Sequence, residues 1–292
     1  AGSTPGTTQP AGTAPAPGST LAGAAPVGTP YSLQPVSSTD GRISMCAPAG
    51  WATEPSWGWY DIGGGRAFYQ ALSVSPNHVV LNDKTTAYTA PEVFLKQVWP
   101  VTPGQPLDVN AVIAESKTTL CTRTSSPQPV SHPTFGAGIL TIDTDCGAGG
   151  NPSASREQMT FAQADGSVIQ IHVRVLEARD RELGMKALDC LKLPKVSAPA
   201  PINPQQQCST SPKNAPPVDI SIVNTTTGLL RVVWHDYQCK LDLANYQWVV
   251  GPGETTNIPG TYEGNVYTAV ALDGSTVGTY TVPAAGGTWT LP

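Results

Sequence analysis

The stretch that decides the fold is residues 218–282, VDISIVNTTTGLLRVVWHDYQCKLDLANYQWVVGPGETTNIPGTYEGNVYTAVALDGSTVGTYTV. Short apolar runs alternate with polar residues, which is typical of β-strands. Pro252-Gly253 and Asp273-Gly274 separate the runs, because proline fixes φ and glycine accepts a positive φ. The pattern predicts an all-β sandwich over residues 218–292. The predicted strands are 219–224, 229–237, 246–250, 255–259, 265–272 and 275–282.

Two short motifs in this stretch carry a family resemblance. The second predicted strand ends in VWHDY at 233–237, and TYEGNVY at 261–267 follows the proline–glycine turn. This order of elements resembles the β domain of the von Hippel–Lindau tumour suppressor family. The resemblance implies a small β sandwich that binds a hydroxyproline-containing peptide. The family's helical domain, which recruits a ubiquitin ligase, has no counterpart after residue 282, so we expect no ligase role.

The same resemblance implies a peptide-binding site, because the family holds the ligand proline in an aromatic box with polar groups around its hydroxyl. The implied peptide-binding residues are Trp234, Tyr246, Thr261, Tyr262, Asn265 and Tyr267. Thr261 replaces a family serine and keeps a hydroxyl, whereas Asn265 replaces a histidine and keeps a shorter donor. A site built for a hydroxyl loses affinity when its polar groups misalign. We therefore expect proline recognition by stacking, with hydroxyproline recognition left open.

These aromatic residues have a second interpretation. Trp234, Tyr246, Trp248 and Tyr267 could fill the core between two sheets, where aromatic residues of strands usually lie. The sequence leaves both interpretations open, a packed core and a groove that is open to solvent.

Residues 30–196 predict an α+β domain with an antiparallel sheet and a few helices. The strand candidates are 42–47, 67–74, 109–119, 138–144, 155–162 and 168–177. A helix is predicted over 180–193, where apolar residues share one face and Pro194 ends the pattern. A second helix is predicted over 91–98, with Thr89 as its cap and Pro100 just beyond its end.

The same region carries a broader fold resemblance. A Pro48-Ala49-Gly50-Trp51 opening, a meandering sheet and a closing amphipathic helix resemble the PsbP and Mog1-like folds. Residues 1–29 consist almost entirely of small residues and proline, and we predict a disordered tether there. Residues 197–217 are rich in Pro, Gln and Ser and are predicted to be the linker between the two domains.

The six cysteines indicate disulfides in an oxidising compartment. They are Cys46, Cys121, Cys146, Cys190, Cys208 and Cys239, and none forms a C-x-x-C pair. Six cysteines allow 15 pairings, of which domain locality favours 46–190, 121–146 and 208–239. We therefore expect a secreted, periplasmic or cell-envelope protein whose signal peptide was removed before the first residue. The alternative is a set of reduced thiols in a cytosolic protein.

Charge and hydropathy exclude two classes of partner. The 292 residues carry a net charge of −5 with no basic stripe, which argues against a nucleic-acid ligand. No run approaches 18 consecutive apolar residues, so we expect no transmembrane segment. The oligomeric state is not indicated by the sequence.

The chain offers few signs of catalysis. Its four histidines form no metal-binding pair, and neither a G-x-S-x-G elbow nor a P-loop is present. Asp143, Asp145 and Asn151 could bind calcium, yet their spacing matches no loop motif. His172 lies on the polar face of its predicted strand and is expected to be solvated. We expect no cofactor and no metal ion.

These observations predict a secreted or envelope-associated, non-catalytic binding protein. Its C-terminal module would offer an aromatic groove to a proline-containing peptide or protein partner. Two alternatives stay open. One is a hydrolase or other enzyme with its site in residues 30–196 and Glu115, Asp143 or His172 as acid or base. The other is a purely structural surface protein braced by disulfides.

Overall fold

The chain is mostly β in the parts that the structure describes. The computed structural model describes residues 30–38, 41, 43–62, 65–77, 89–100, 106–147, 151–193, 208–210, 215–242 and 247–292. Within these ranges it contains several antiparallel sheets and two α-helices. The predicted tether and most of the predicted linker lie outside the described residues.

The strands follow one another along the chain with few helices between them. They are β1 Leu33–Ser37, β2 Ser44–Pro48, β3 Ala52–Ile62, β4 Gly65–Ser75, β5 Glu92–Pro100, β6 Cys121–Thr124, β7 Gln128–His132, β8 Gly136–Cys146, β9 Asn151–Ala162, β10 Val168–Val175, β11 Val218–Asn224, β12 Leu230–His235, β13 Gln247–Val250, β14 Thr255–Thr261, β15 Val266–Ala271, β16 Thr276–Thr281 and β17 Gly287–Leu291. The helices are α1 Val109–Glu115, a 3₁₀ turn Ala178–Arg181 and α2 Glu182–Asp189.

The described strands of residues 52–175 form one eight-stranded sheet. Its order is β3-β4-β5-β10-β9-β8-β6, and β7 also pairs with β8. Alternation along β10 shows how the sheet separates its faces. Ile169, Ile171 and Val173 are buried in an apolar core, and the polar residues between them lie on the opposite face.

A hairpin and a helix cover the apolar face of this sheet. β1 pairs with β2, and Met45 of β2 joins the same core as Leu183 and Ala187 of α2. The disulfide Cys46–Cys190 links β2 to the residue that follows α2. The predicted helix over 180–193 is therefore present, although its first turn is a 3₁₀ turn and it ends earlier than expected.

The helix predicted over 91–98 is wrong, because these residues belong to strand β5. β5 lies between β4 and β10, and both of its faces are covered. Val93 and Leu95 lie in the core, whereas Lys96 is buried on the other face. A strand that is buried on both faces shows no clean alternation, so its apolar run resembles that of a buried helix.

The strand predicted over 109–119 is also wrong, because helix α1 occupies most of this segment. Asp108 begins the helix, and its Oδ1 accepts a hydrogen bond from the backbone N of Asn110 at 2.9 Å. Such a cap satisfies a donor that the first turn leaves unpaired. Val112 is fully buried, and Val109 and Ala111 pack in the same apolar cluster, so one face of the helix lies against the sheet.

The described part of residues 218–292 forms two further sheets that share one core. The three-stranded sheet has the order β14-β11-β17, with β11 and β17 parallel, and the four-stranded sheet has the order β13-β12-β15-β16. Ile220 and Ile222 of β11 meet Val232 of β12 and Tyr267 of β15 in a single apolar cluster. The strands predicted from 218–282 are all present, and β17 was not predicted.

The eight-stranded and four-stranded sheets meet at an apolar contact, which we call the junction. Its cluster contains Phe68, Trp99, Leu229, Leu272 and Val249. Phe68 and Trp99 stack at 5.0 Å, and all but Val249 are nearly inaccessible to solvent.

Polar groups complete the junction. Arg231 lies over the Phe68 ring at 5.4 Å, and burial lowers the pKa of Arg231 to about 10. Trp57 Nε1 donates to Glu254 Oε2 at 2.9 Å, and the same oxygen accepts a bond from the backbone N of Gly251. A Cβ atom on Gly251 would overlap the Trp57 indole, so only glycine fits this approach.

The expected disulfides are confirmed. Cys46–Cys190, Cys121–Cys146 and Cys208–Cys239 are bonded, which fits an extracellular or otherwise oxidising environment. Among the described residues, no helix combines the length and apolar character needed to cross a bilayer.

Candidate functional site

A cavity of about 200 Å³ opens beside the shared core of the C-terminal sheets. It receives residues from strands of both sheets and from the segments that follow β12 and β14. The lining residues are Trp234, Tyr237, Trp248, Ile258, Pro259, Gly260, Thr261, Tyr262, Asn265 and Tyr267.

The structure brings together five of the six residues that the sequence assigns to peptide binding. Trp234, Thr261, Tyr262, Asn265 and Tyr267 all line this one cavity. The sixth residue, Tyr246, lies outside the described residues. Trp234 and Tyr267 are direct partners across β12 and β15, which explains why residues distant in sequence share one site.

Aromatic rings form the walls of the cavity. Trp234 and Tyr237 meet edge to face at 5.3 Å with an interplanar angle of 88°. Trp248 and Tyr267 meet in the same way at 5.7 Å and 76°. Each tryptophan ring is therefore held at a fixed angle by a tyrosine, which keeps the walls in place without a bound ligand.

A small hydrogen-bonded group forms the polar part of the lining. Thr261 Oγ1 and Tyr267 OH lie 2.8 Å apart, and Asn265 Nδ2 donates to Thr261 Oγ1 at 3.0 Å. The Oδ1 atom of Asn265 is buried and has no hydrogen-bond partner within the described residues. A buried acceptor without a partner is costly, so a ligand donor at this position would gain free energy.

The two interpretations of the aromatic residues both hold in part. Tyr267 is only 3% exposed and packs in the core, although its hydroxyl reaches the cavity. Trp234 and Trp248 are half-buried, with one side on the core and the other on the cavity. Tyr237 is 42% exposed and stands at the mouth.

A segment from the predicted linker holds one side of the site. Cys208 is bonded to Cys239, in the loop after β12 that carries Tyr237. Ser209, only 4% exposed, accepts a hydrogen bond from the backbone N of Val266 through its Oγ at 2.8 Å. The disulfide therefore fixes the loop of Tyr237 and the start of β15 to one another.

The sequence did not assign Tyr237, Ile258, Pro259 or Gly260 to the site, and it left Trp248 open between the core and the groove. Two signals were available. Tyr237 ends the same VWHDY motif that contains Trp234, and Trp248 lies opposite Val232, two residues before Trp234 on the same strand face. Pro259 had no such signal, because the twist and bulge that bring β14 to the cavity are not visible in the sequence.

The residues proposed for catalysis occupy separate environments. Asp143 accepts from Nε and Nη2 of Arg156 at 2.8 and 2.5 Å and from Thr124 Oγ1 at 2.7 Å. Glu115 is exposed at the end of α1. Both carboxylate oxygens of Asp143 are therefore occupied by donors. The hydrolase alternative stays a prediction.

His172 is half-buried where full solvation was expected: it lines a cavity, while its Nε2 is inaccessible and has no hydrogen-bond partner among the described residues. Burial keeps the pKa of His172 well below its usual value, and the nearby charges of Arg156, Lys96 and Arg174 act in the same direction. Burial, with the charge of Arg156, also lowers the pKa of Lys96 to about 7. Burial, together with the neighbouring basic residues on this face of the eight-stranded sheet, therefore keeps the imidazole neutral at neutral pH.

The two aspartates considered for calcium are engaged in separate ion pairs. Asp143 pairs with Arg156, and Asp145 pairs with Arg123 at 2.9 Å. Side-chain contacts of Asn151 lie outside the described residues. Across the described ranges, no group of three or more candidate ligands could hold a metal ion.

Comparison with known proteins gives no assignment: no family model, no curated protein and no solved structure matches this chain.

Proposed function

We propose that residues 218–292 form a β sandwich that binds a proline-containing segment of a peptide or protein partner in the aromatic cavity. The observation that carries this proposal is the convergence of Trp234, Tyr237 and Trp248 around one opening with a polar group inside it. The chain would act as a non-catalytic binding protein.

The size and composition of the cavity favour one side chain over a large ligand. About 200 Å³ is below the usual volume of roughly 300–1,000 Å³ for small-molecule sites. Aromatic faces bind the proline ring well, because proline is apolar and its backbone is already restricted in φ. A prolyl segment therefore loses little conformational entropy on binding.

The polar group inside the cavity favours a ligand that also carries a hydrogen-bond donor. The unpaired Oδ1 of Asn265 could accept from a hydroxyl, and Thr261 and Tyr267 could adjust their hydroxyl protons around it. Hydroxyproline supplies such a donor on the ring itself. We propose that the hydroxylated form is bound more tightly than proline.

The cellular setting that we propose follows from the disulfides. Three bonds join distant parts of the chain, and such bonds persist in secreted, periplasmic or envelope proteins. We infer that the chain works outside the cytoplasm, where its partner would be a secreted or surface-exposed protein. The resemblance to the von Hippel–Lindau β domain and the PsbP-like resemblance of residues 30–196 remain part of this proposal.

The test uses the full chain and three otherwise identical labelled peptides with proline, hydroxyproline or alanine at the central position. Fluorescence anisotropy should show saturable binding of the first two and at least about tenfold weaker binding of the alanine peptide. Trp248→Ala should abolish binding, because it removes one wall. Thr261→Val should weaken binding of the hydroxyproline peptide more than binding of the proline peptide.

The matched control is Tyr280→Ala, which removes an aromatic ring of the same module outside the cavity. Tyr280 stacks on Trp289 at 5.3 Å and does not line the opening. This variant should bind the proline peptide as the unmodified chain does. Equal binding of the alanine peptide, or equal loss in the Tyr280→Ala variant, would disprove the proposal.

A further inference from the structure

A second cavity lies on the polar face of the eight-stranded sheet. It measures about 310 Å³ and lies opposite the apolar core. Strands β3, β4, β5, β9 and β10 contribute to it, together with the segment before β6. Its volume falls within the usual range for sites that hold a small molecule.

Three of the four charged lining residues, Glu92, Arg156 and Arg174, are held in ion pairs. Arg174 Nε bonds Glu92 Oε2 at 2.8 Å, and Arg156 bonds Asp143 through two of its nitrogens. The third nitrogen of Arg156 donates to the backbone O of Ser116 at 2.7 Å. These pairs form a row across β5, β10, β9 and β8, which the strand register places side by side.

The lining itself carries no net charge. Glu54 and Glu92 contribute two negative charges, and Arg156 and Arg174 contribute two positive charges. A cavity built for an anion or a cation would show an excess of the opposite sign. Here the charged groups act as fixed donors and acceptors instead.

Neutral polar groups, Leu120 and one phenyl ring complete the lining. Ser56, Ser73 and Thr118 supply hydroxyls, and the half-buried His172 ring lies among them. Phe94 lies beside His172 with 5.5 Å between ring centres and offers an apolar surface. Donors and acceptors therefore surround a flat apolar platform.

We infer that this cavity binds a small, neutral, polyhydroxylated ring, such as a monosaccharide unit. A hydroxyl both donates and accepts, so it can use carboxylates, guanidinium groups and an imidazole at once. The C–H face of a sugar ring is apolar and can lie on the Phe94 ring. This inference does not depend on peptide binding by the C-terminal module.

The test compares three ligands that share one ring and differ in charge: glucose, glucosamine in its protonated form and glucuronate. Saturation-transfer NMR with the full chain should detect binding of glucose. The two charged ligands should bind at least about tenfold more weakly. A tighter glucuronate or glucosamine complex would overturn the neutral-ligand inference. No saturable binding of any of the three would overturn the site itself.

Variants of the cavity test its position. Phe94→Ala should weaken the binding of glucose at least about tenfold, because the apolar ring on which the sugar would lie is removed. Phe94→Leu keeps the apolar volume without the flat ring and gives the same test if the alanine variant does not fold. The matched control is Phe135→Ala, a half-buried phenyl group that packs on His132 away from this cavity. Equal loss in the control would overturn the assignment.

Discussion

At the scale of single residues, the ion pair of Asp143 and Arg156 is the most constrained polar feature of the larger sheet. Their side chains are 5% and 10% exposed, and Arg156 donates through three nitrogens. Such a pair contributes little net stability when intact, because desolvation offsets the attraction. Removing one of the two charges is costly, because the other charge then stays buried without its partner.

Asp143→Asn should therefore lower the free energy of unfolding by about 3–5 kcal/mol. The matched control is Asp145→Asn, two residues away on the same strand. Its partner Arg123 is 79% exposed, so that substitution should cost only about 0–1 kcal/mol. Urea denaturation of both variants provides the measurement, and equal effects would contradict the role of burial.

At the scale of elements, the packing of α2 on the sheet depends on a residue without a side chain. Gly184 lies inside the helix, where alanine would normally be favoured by about 1 kcal/mol. A Cβ atom there would lie 2.7 Å from Val173 Cγ2 and closer still to the end of Met159. The methionine tip can move, whereas the valine methyl is fixed by its strand.

We expect Gly184→Ala to destabilise the protein by about 1 kcal/mol, because overpacking of about 1–3 kcal/mol exceeds the helix-propensity gain. Thermal and urea denaturation would measure the change. Val173→Ala should relieve the clash, so the double variant should be more stable than the sum of the two single effects. If the effects of the two substitutions on stability simply add, the helix must instead shift to make room for the alanine methyl group.

Strands and helices were predicted correctly where the apolar residues follow a clear period along the chain. The predictions were wrong where contacts with distant residues determine the secondary structure. β10 shows clean alternation, and its strand was predicted. β5 is buried on both faces, so the run from Glu92 to Pro100 carries no period that separates strand from helix. In α1 the β-branched residues favour a strand, but the cap from Asp108 and the packing of Val109, Ala111 and Val112 on the sheet stabilise a helix.

At the scale of the whole molecule, the disulfides close loops of very different length. Cys46–Cys190 joins residues 144 positions apart, and Cys121–Cys146 joins residues 25 apart. In the chain-entropy model, the longer loop restricts the unfolded chain more strongly. The first bond should therefore contribute more to stability.

Replacing both cysteines of the Cys46–Cys190 bond with alanine should cost roughly 5 kcal/mol, against roughly 3.5 kcal/mol for the Cys121–Cys146 bond. Denaturation of the two double variants under identical conditions gives the comparison. The reverse order would show that native-state packing around the shorter bond, and not chain entropy, governs its contribution.

The sequence named five lining residues of the aromatic cavity, and it did so through the family resemblance. The structure places Trp234 and Tyr267 on neighbouring strands and Thr261 on the other sheet, so strand order alone would not have brought them together. The second cavity was not accessible from the sequence, because it depends on the register of five strands. The junction was likewise hidden, since nothing in the sequences around Phe68 and Leu272 marks them as partners.

Two consecutive residues of strand β13 take part in different contacts. Val249 packs in the junction, and Trp248 lines the aromatic cavity. A ligand that fixed the indole of Trp248 would also restrict the backbone that carries Val249. Such a coupling is reciprocal: if an occupied cavity tightens the contact between the two sheets, a tighter contact raises the affinity for the ligand by the same free energy.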